Sequence, residues 1–230
     1  MNTRMTFVMS ALAVLLLSSS ASGQDGFSAG LKVIGNANKF AATKRGFGYG
    51  GGGFATLPIV GPLSVRGEVL YVSYSGTMSD STKELNLGAV ESVTYKNRNL
   101  RFHSVETPVM AVVDLPILKN LNPKLSVGYA WSYNFGVYQV SDNTYSVREA
   151  GGTLKEVEYV NNSENVTSEF EPFNSSVLGS LSFNFERIHA DFRYQQGFTN
   201  LSQHNASDAS RFFGDYRTKM ISFSLGYRFF

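Results

Sequence analysis

The chain has 230 residues, 20 Lys plus Arg against 18 Asp plus Glu, and no cysteine. The near-neutral balance and the absence of a basic run argue against nucleic acid as a partner. The missing thiols exclude a disulfide framework, thiol catalysis and a lipid-bearing cysteine anchor.

In chain order, Arg4 precedes an apolar run over residues 7–17 and a polar stretch ending Ala21-Ser22-Gly23. That pattern predicts a secretory signal peptide over residues 1–23 and a mature domain over 24–230. The run is far short of the roughly 20 apolar residues a spanning helix needs. No later apolar window approaches that length, so insertion in a membrane would require a closed barrel. Its strands need about 9 to 11 residues, alternately apolar outside and polar inside.

Four early segments, 27–35, 47–57, 63–74 and 100–113, alternate loosely. The second contains Gly48-Tyr49-Gly50-Gly51-Gly52-Gly53, which formally satisfies the dinucleotide pattern G-x-G-x-x-G. That motif needs a helix after it. A Pro-bounded turn and another strand follow here, so barrel curvature or close backbone packing explains the glycines better.

The later strands are clearer. Leu125, Val127, Tyr129, Trp131, Tyr133, Phe135 and Val137 alternate with Ser126, Gly128, Ala130, Ser132, Asn134 and Gly136, putting all the large apolar groups on one face. Residues 177–185 and 188–195 repeat the pattern. The last strand sets Ile221, Phe223, Leu225, Tyr227 and Phe229 against Ser222, Ser224, Gly226 and Arg228, making the first five the lipid-facing row. Outward Trp131, Tyr133, Tyr194 and Tyr227 suit the membrane interfaces.

Eight strands result, with short links at 58–62, 115–123 and 186–187 and longer polar ones at 36–45, 75–99, 139–172 and 199–214. This alternation is that of an all-β, antiparallel, up-and-down transmembrane barrel with short periplasmic turns and long extracellular loops. A soluble sandwich or lipocalin-like barrel also alternates, but it buries its aromatics and exposes its charges.

The same parity aims Arg66, Glu68, Glu106, His189, Asp191, Arg193 and Arg228 inward. In a narrow barrel the simplest role for them is a polar network, with a constricted pore or polar ligand site as the functional alternative. Among the three histidines, His204 lies near Ser202, Ser207 and Asp208, residue types that could activate a hydroxyl. In a loop rich in Ser and Asn that is an expected coincidence, and no catalytic role is assigned. No HExxH, cysteine cluster or Asp-rich loop suggests a metal, and no cofactor is implied.

Asp191-Phe192-Arg193-Tyr194-Gln195-Gln196-Gly197-Phe198-Thr199-Asn200 resembles the penultimate strand of the PorT-like small outer-membrane β-barrels of Bacteroidota. Ser222-Phe223-Ser224-Leu225-Gly226-Tyr227-Arg228-Phe229 is similar to that family's last strand and to the ends of OmpX-like and OmpA-like barrels. Val105-Glu106-Thr107-Pro108 is a weaker likeness to a Leu-Glu-Ile-Pro strand. One departure is Phe230, which follows the usual terminal aromatic. The resemblance implies an eight-stranded barrel in the bacterial outer membrane, assembled by the barrel-assembly machinery, and adds an accessory role in protein secretion.

The expected function is structural or interactive, with the extracellular loops, chiefly 139–172, meeting other envelope or secretion proteins and the outer wall meeting outer-membrane lipid. A small solute channel is the alternative, and a lipid-modifying enzyme is a more distant one.

Overall fold

A computed structural model describes residues 27–40, 43–87, 90–115, 122–148, 153–202 and 216–229. The signal-peptide segment, His204 and Phe230 lie outside them. Among the described residues there are ten strands: β1 (Ser28–Phe40), β2 (Gly46–Val60), β3 (Leu63–Thr77), β4 (Ser81–Leu87), β5 (Val90–Asp114), β6 (Pro123–Arg148), β7 (Leu154–Asn165), β8 (Phe173–Phe185), β9 (Ile188–Gly197) and β10 (Thr218–Arg228). Eight of them form an antiparallel ring in the order β1-β2-β3-β5-β6-β8-β9-β10, closed where β1 pairs with β10. β4 and β7 stand outside the ring, on the flanks of β5 and β6.

Side chains are distributed inside-out relative to a soluble protein. Ser126, Ser180, Ser182, Asn184, Ser224 and the charged groups are buried, while Val33, Leu125, Val127, Phe192 and Phe223 face outward. A soluble barrel has the reverse arrangement, whereas an apolar exterior fits a hydrocarbon surround. From Thr218 to Arg228 the β10 strand climbs ten residues. At about 3.3 Å per residue and a tilt of about 40° that spans roughly 25 Å, the height of a barrel's apolar band.

The tight turns Gly61-Pro62 and Glu186-Arg187 lie at the end of the barrel where β1 starts and β10 stops, which sets that end in the periplasm. Gly61 (φ 54) takes the left-handed conformation open to glycine, and Glu186 (φ 50) adopts it against the usual steric preference of a side chain. Within β2, a Cβ added at Gly50 or Gly52 would run into the backbone carbonyls of Tyr71 and Val69. The glycines at these alternate positions are therefore set by the close approach of β3.

Three expectations from the sequence are corrected. The long links 75–99 and 139–172 are largely strand: β5 and β6 extend over 25 and 26 residues, well past the bilayer requirement, and β4 and β7 pair with their extensions. Their polar and weakly alternating sequence suggests loops, although Val93, Tyr95, Ser141 and Asn143 within these extensions are buried. Similarly, β1 runs on to Phe40, five residues beyond the expected end. Finally, Val137 is buried, not lipid-facing. His103 pairs with Gly136 and Ser104 with Asn134, leaving Phe135 as an extra residue in the ladder. Such a bulge inverts inside and outside beyond it.

Candidate functional site

The lumen has a charged lower storey and an aromatic upper one. In the lower, Lys32 Nζ donates to Glu68 Oε1 at 2.9 Å and lies 3.6 Å from Asp191 Oδ2. Arg193 Nη2 donates to both Glu68 oxygens at 3.0 and 2.9 Å and lies 3.1 Å from Asp191 Oδ2. Two cations and two carboxylates thus tie β1, β3 and β9 together across the barrel, with the Lys32 and Glu68 side chains fully shielded from solvent.

Arg66 approaches a different set of partners. Its Nε donates to Thr56 Oγ1 at 3.0 Å, and its Nη1 lies 3.2 Å from His189 Nε2. A guanidinium can only donate, so Nε2 must accept and the imidazole proton sits on Nδ1, which donates to Asn184 Oδ1 at 2.8 Å. The Phe54 ring packs against both, 5.5 Å from the guanidinium and 5.1 Å from the imidazole. Glu106 lies apart from the four-membered cluster and accepts from Gln195 Nε2 at 3.4 Å, while that amide also donates to Ser176 Oγ at 2.9 Å.

Of the seven charged residues expected inside, Arg66, Glu68, Glu106, His189, Asp191 and Arg193 are buried in the lumen. Arg228 sits at the periplasmic rim and donates to the Glu186 backbone carbonyl. Lys32 was missed, although its exposed neighbours Leu31 and Val33 carried the signal: in an alternating strand the residue between two lipid-facing groups points inward. The lipid-facing row Ile221, Phe223, Leu225, Tyr227 and Phe229 is exposed on the outer wall, as are Trp131, Tyr133 and Tyr194.

The upper storey is aromatic and apolar. Phe102 stacks on Tyr74 with centroids 5.2 Å apart and rings 4° from parallel, packs 5.0 Å from Phe40, and takes Phe170 edge-on at 5.1 Å. Tyr216 contacts Phe170 at 5.6 Å, and Leu100, Val137, Val166 and Leu201 are buried in the same cluster. Val166 and Phe170 flank a single 3₁₀ turn, Thr167–Glu169, and Leu201 and Tyr216 lie in the link between β9 and β10. Backbone contacts fasten these segments over the mouth: Glu171 N donates to Leu201 O at 2.8 Å, and Asn134 N to Pro172 O at 2.7 Å. Sequence periodicity could not find this cluster because Met78, Val166, Phe170, Leu201 and Tyr216 come from links.

Between the storeys, Asn38, Tyr74, Glu106, Asn174, Gln195, Thr218 and Met220 surround a space of about 10 Å³. That is at most about one water molecule. Among the described residues no group of three or more His, Asp or Glu is placed to hold a metal ion.

The sequence from residue 18 to residue 203 matches the family model described as the outer membrane protein beta-barrel domain. The chain belongs to this family. This barrel is accordingly a protein of the bacterial outer membrane. Its similarity to solved structures is distant. Ail, the attachment invasion locus protein of Yersinia pestis solved with the heparin analogue sucrose octasulfate, is 12% identical, with 88% of this chain and 97% of that one covered and a TM-score of 0.39. Neisserial surface protein A is 12% identical over 89% and 98%, with a TM-score of 0.42. The N-terminal β-barrel domain of Pseudomonas aeruginosa OprF is 10% identical over 87% and 97%, with a TM-score of 0.31. No curated protein matches the chain by sequence.

Proposed function

We propose that this outer-membrane barrel is an interaction protein whose working surface is the extracellular sheet β4-β5-β6-β7. The observation that carries the reading is the continuation of β5 and β6 far beyond the bilayer, widened by β4 and β7 into a four-stranded blade. β7 lies at its margin with one edge unpaired among the described residues, and Leu154, Tyr159 and Val160 are exposed on it in an aqueous zone. A free edge with apolar side chains is a template for an added strand. A photoreactive residue at Tyr159 is expected to capture a discrete envelope protein in living cells, and capture no greater than from the rim residue Lys124 refutes the reading.

The filled lumen supports interaction over transport, so planar-bilayer recording is expected to give no reproducible single-channel steps. The PorT-like segments at 191–200 and 222–229 support a narrower role, as an accessory in the secretion of other proteins. Gene deletion is then expected to change the set of secreted proteins, and an unchanged set removes the narrower role while leaving the blade in place. This reading assigns no catalysis, and His204→Ala is expected to leave lipid A composition unaltered.

A further inference from the structure

The seam between the first and last strands carries an external charge pattern that the lumen does not explain. Lys39 of β1 pairs directly with Lys219 of β10, and both are exposed. The β1–β2 register pairs Asn38 with Gly46, so one more step sets the exposed Arg45 beside Lys39. On the far side Lys219 pairs with Gln196 of β9. Two paired lysines on adjacent strands, with Arg45 just ahead of β2, therefore gather on the outer face of the wall.

Like charges directly opposite each other destabilise a strand pair. Among the described residues none of the three forms an ion pair, and the outward positions of β1, β2, β9 and β10 include no Asp or Glu. The row lies at the extracellular limit of the apolar band, immediately above Ala37, Ile221 and Tyr194. Lipid phosphates occupy that height.

Beneath Lys39 the wall is indented. Gly35 pairs with Tyr49 on one side and Phe223 on the other, and the space where its Cβ would stand is open. Two exposed aromatic walls thus flank a bare backbone floor. The furrow leads down to a groove of about 550 Å³ lined by Leu31, Val33, Gly51, Ile188, Leu225 and Tyr227. A cationic rim above an apolar furrow is complementary to one kind of occupant, an anionic head carrying a hydrocarbon chain.

We propose that Lys39, Lys219 and Arg45 bind the phosphate of an outer-leaflet glycolipid, with one acyl chain lying in the Gly35 furrow. The site is on the membrane wall and is independent of the extracellular blade, so either can fail without the other. Lysines at a membrane surface each strengthen binding to anionic lipid about fivefold. The full chain, folded in neutral detergent, is titrated with diphosphoryl lipid A or its dephosphorylated form, and bound lipid is counted by native mass spectrometry. Expected results are retention of one lipid A by the wild type, no retention of the dephosphorylated form, and roughly thirtyfold weaker binding in the Lys39→Gln, Lys219→Gln double variant. The double Lys→Arg variant is expected to bind like the wild type. Equal retention of both lipids, undiminished binding by the Gln variant, or failure of the wild type to bind overturns the proposal. If the double variant does not show the heat-modifiable migration of a folded barrel, Lys219→Gln is read alone, with a loss of about fivefold expected and an unchanged affinity decisive against the site.

Discussion

Replacing Glu68 by Gln isolates the contribution of the interior cluster to barrel stability. Glu68 is the shared acceptor of Lys32 and Arg193, at 2.9 Å from each, and its side chain has no exposure to solvent. The amide keeps the size but removes the charge, leaving two buried cations against Asp191, at 3.6 and 3.1 Å. Removing one partner of a buried ionic pair costs about 3–5 kcal/mol, because the remaining charge stays desolvated. Equilibrium urea unfolding from lipid vesicles, followed through the single Trp, Trp131 on the outer wall, measures the loss. The second arm is Lys32→Met in the Glu68→Gln background, which removes the stranded ammonium and is expected to recover most of the stability. A loss below about 1 kcal/mol for Glu68→Gln, or simple additivity of the two changes, would refute a coupled cluster.

The aromatic upper storey predicts that Phe102→Ala costs about 3–5 kcal/mol and introduces intermittent conductance steps absent from the wild type, since it removes the ring at the centre of the plug. Gly52→Ala is expected to destabilise by about 1–3 kcal/mol, because its Cβ meets the Val69 carbonyl, whereas Gly53→Ala, whose nearest neighbour is 3.7 Å away, is expected to be nearly neutral in the same urea assay. Phe223→Arg, in the middle of the lipid-facing row, is expected to lose about 2–4 kcal/mol; an unchanged midpoint would show that the outer face of β10 is not in hydrocarbon. Glu186→Gly should stabilise by up to about 1 kcal/mol by relieving its left-handed backbone.

The sequence by itself determined the class of fold. Strict alternation in residues 177–185, 188–195 and 221–229 fixes both the strands and the faces they present, because side chains repeat every two residues and only one face can meet hydrocarbon. For the same reason Arg66, Glu68, Asp191 and Arg193 could be placed in the lumen before any partner was known. Lys32 was equally readable between Leu31 and Val33, but the weak patterning of the first strands hid its register.

Tertiary structure decided what alternation cannot encode. Which buried charges meet depends on the shear that brings β1, β3 and β9 to the same height, so Lys32, Glu68, Asp191 and Arg193 assemble while Glu106 turns to Gln195. The bulge at Phe135 is a pairing event between two strands, and it alone turned Val137 into the plug. The blade formed by β4 to β7 buries only scattered groups such as Val93, Tyr95 and Asn143, and the plug draws Phe170 and Tyr216 from links; in neither case does a sustained local alternation announce the outcome. The cationic row at Lys39 and Lys219 also belongs to the tertiary structure, since those residues lie at opposite ends of the chain and become neighbours only when the barrel closes.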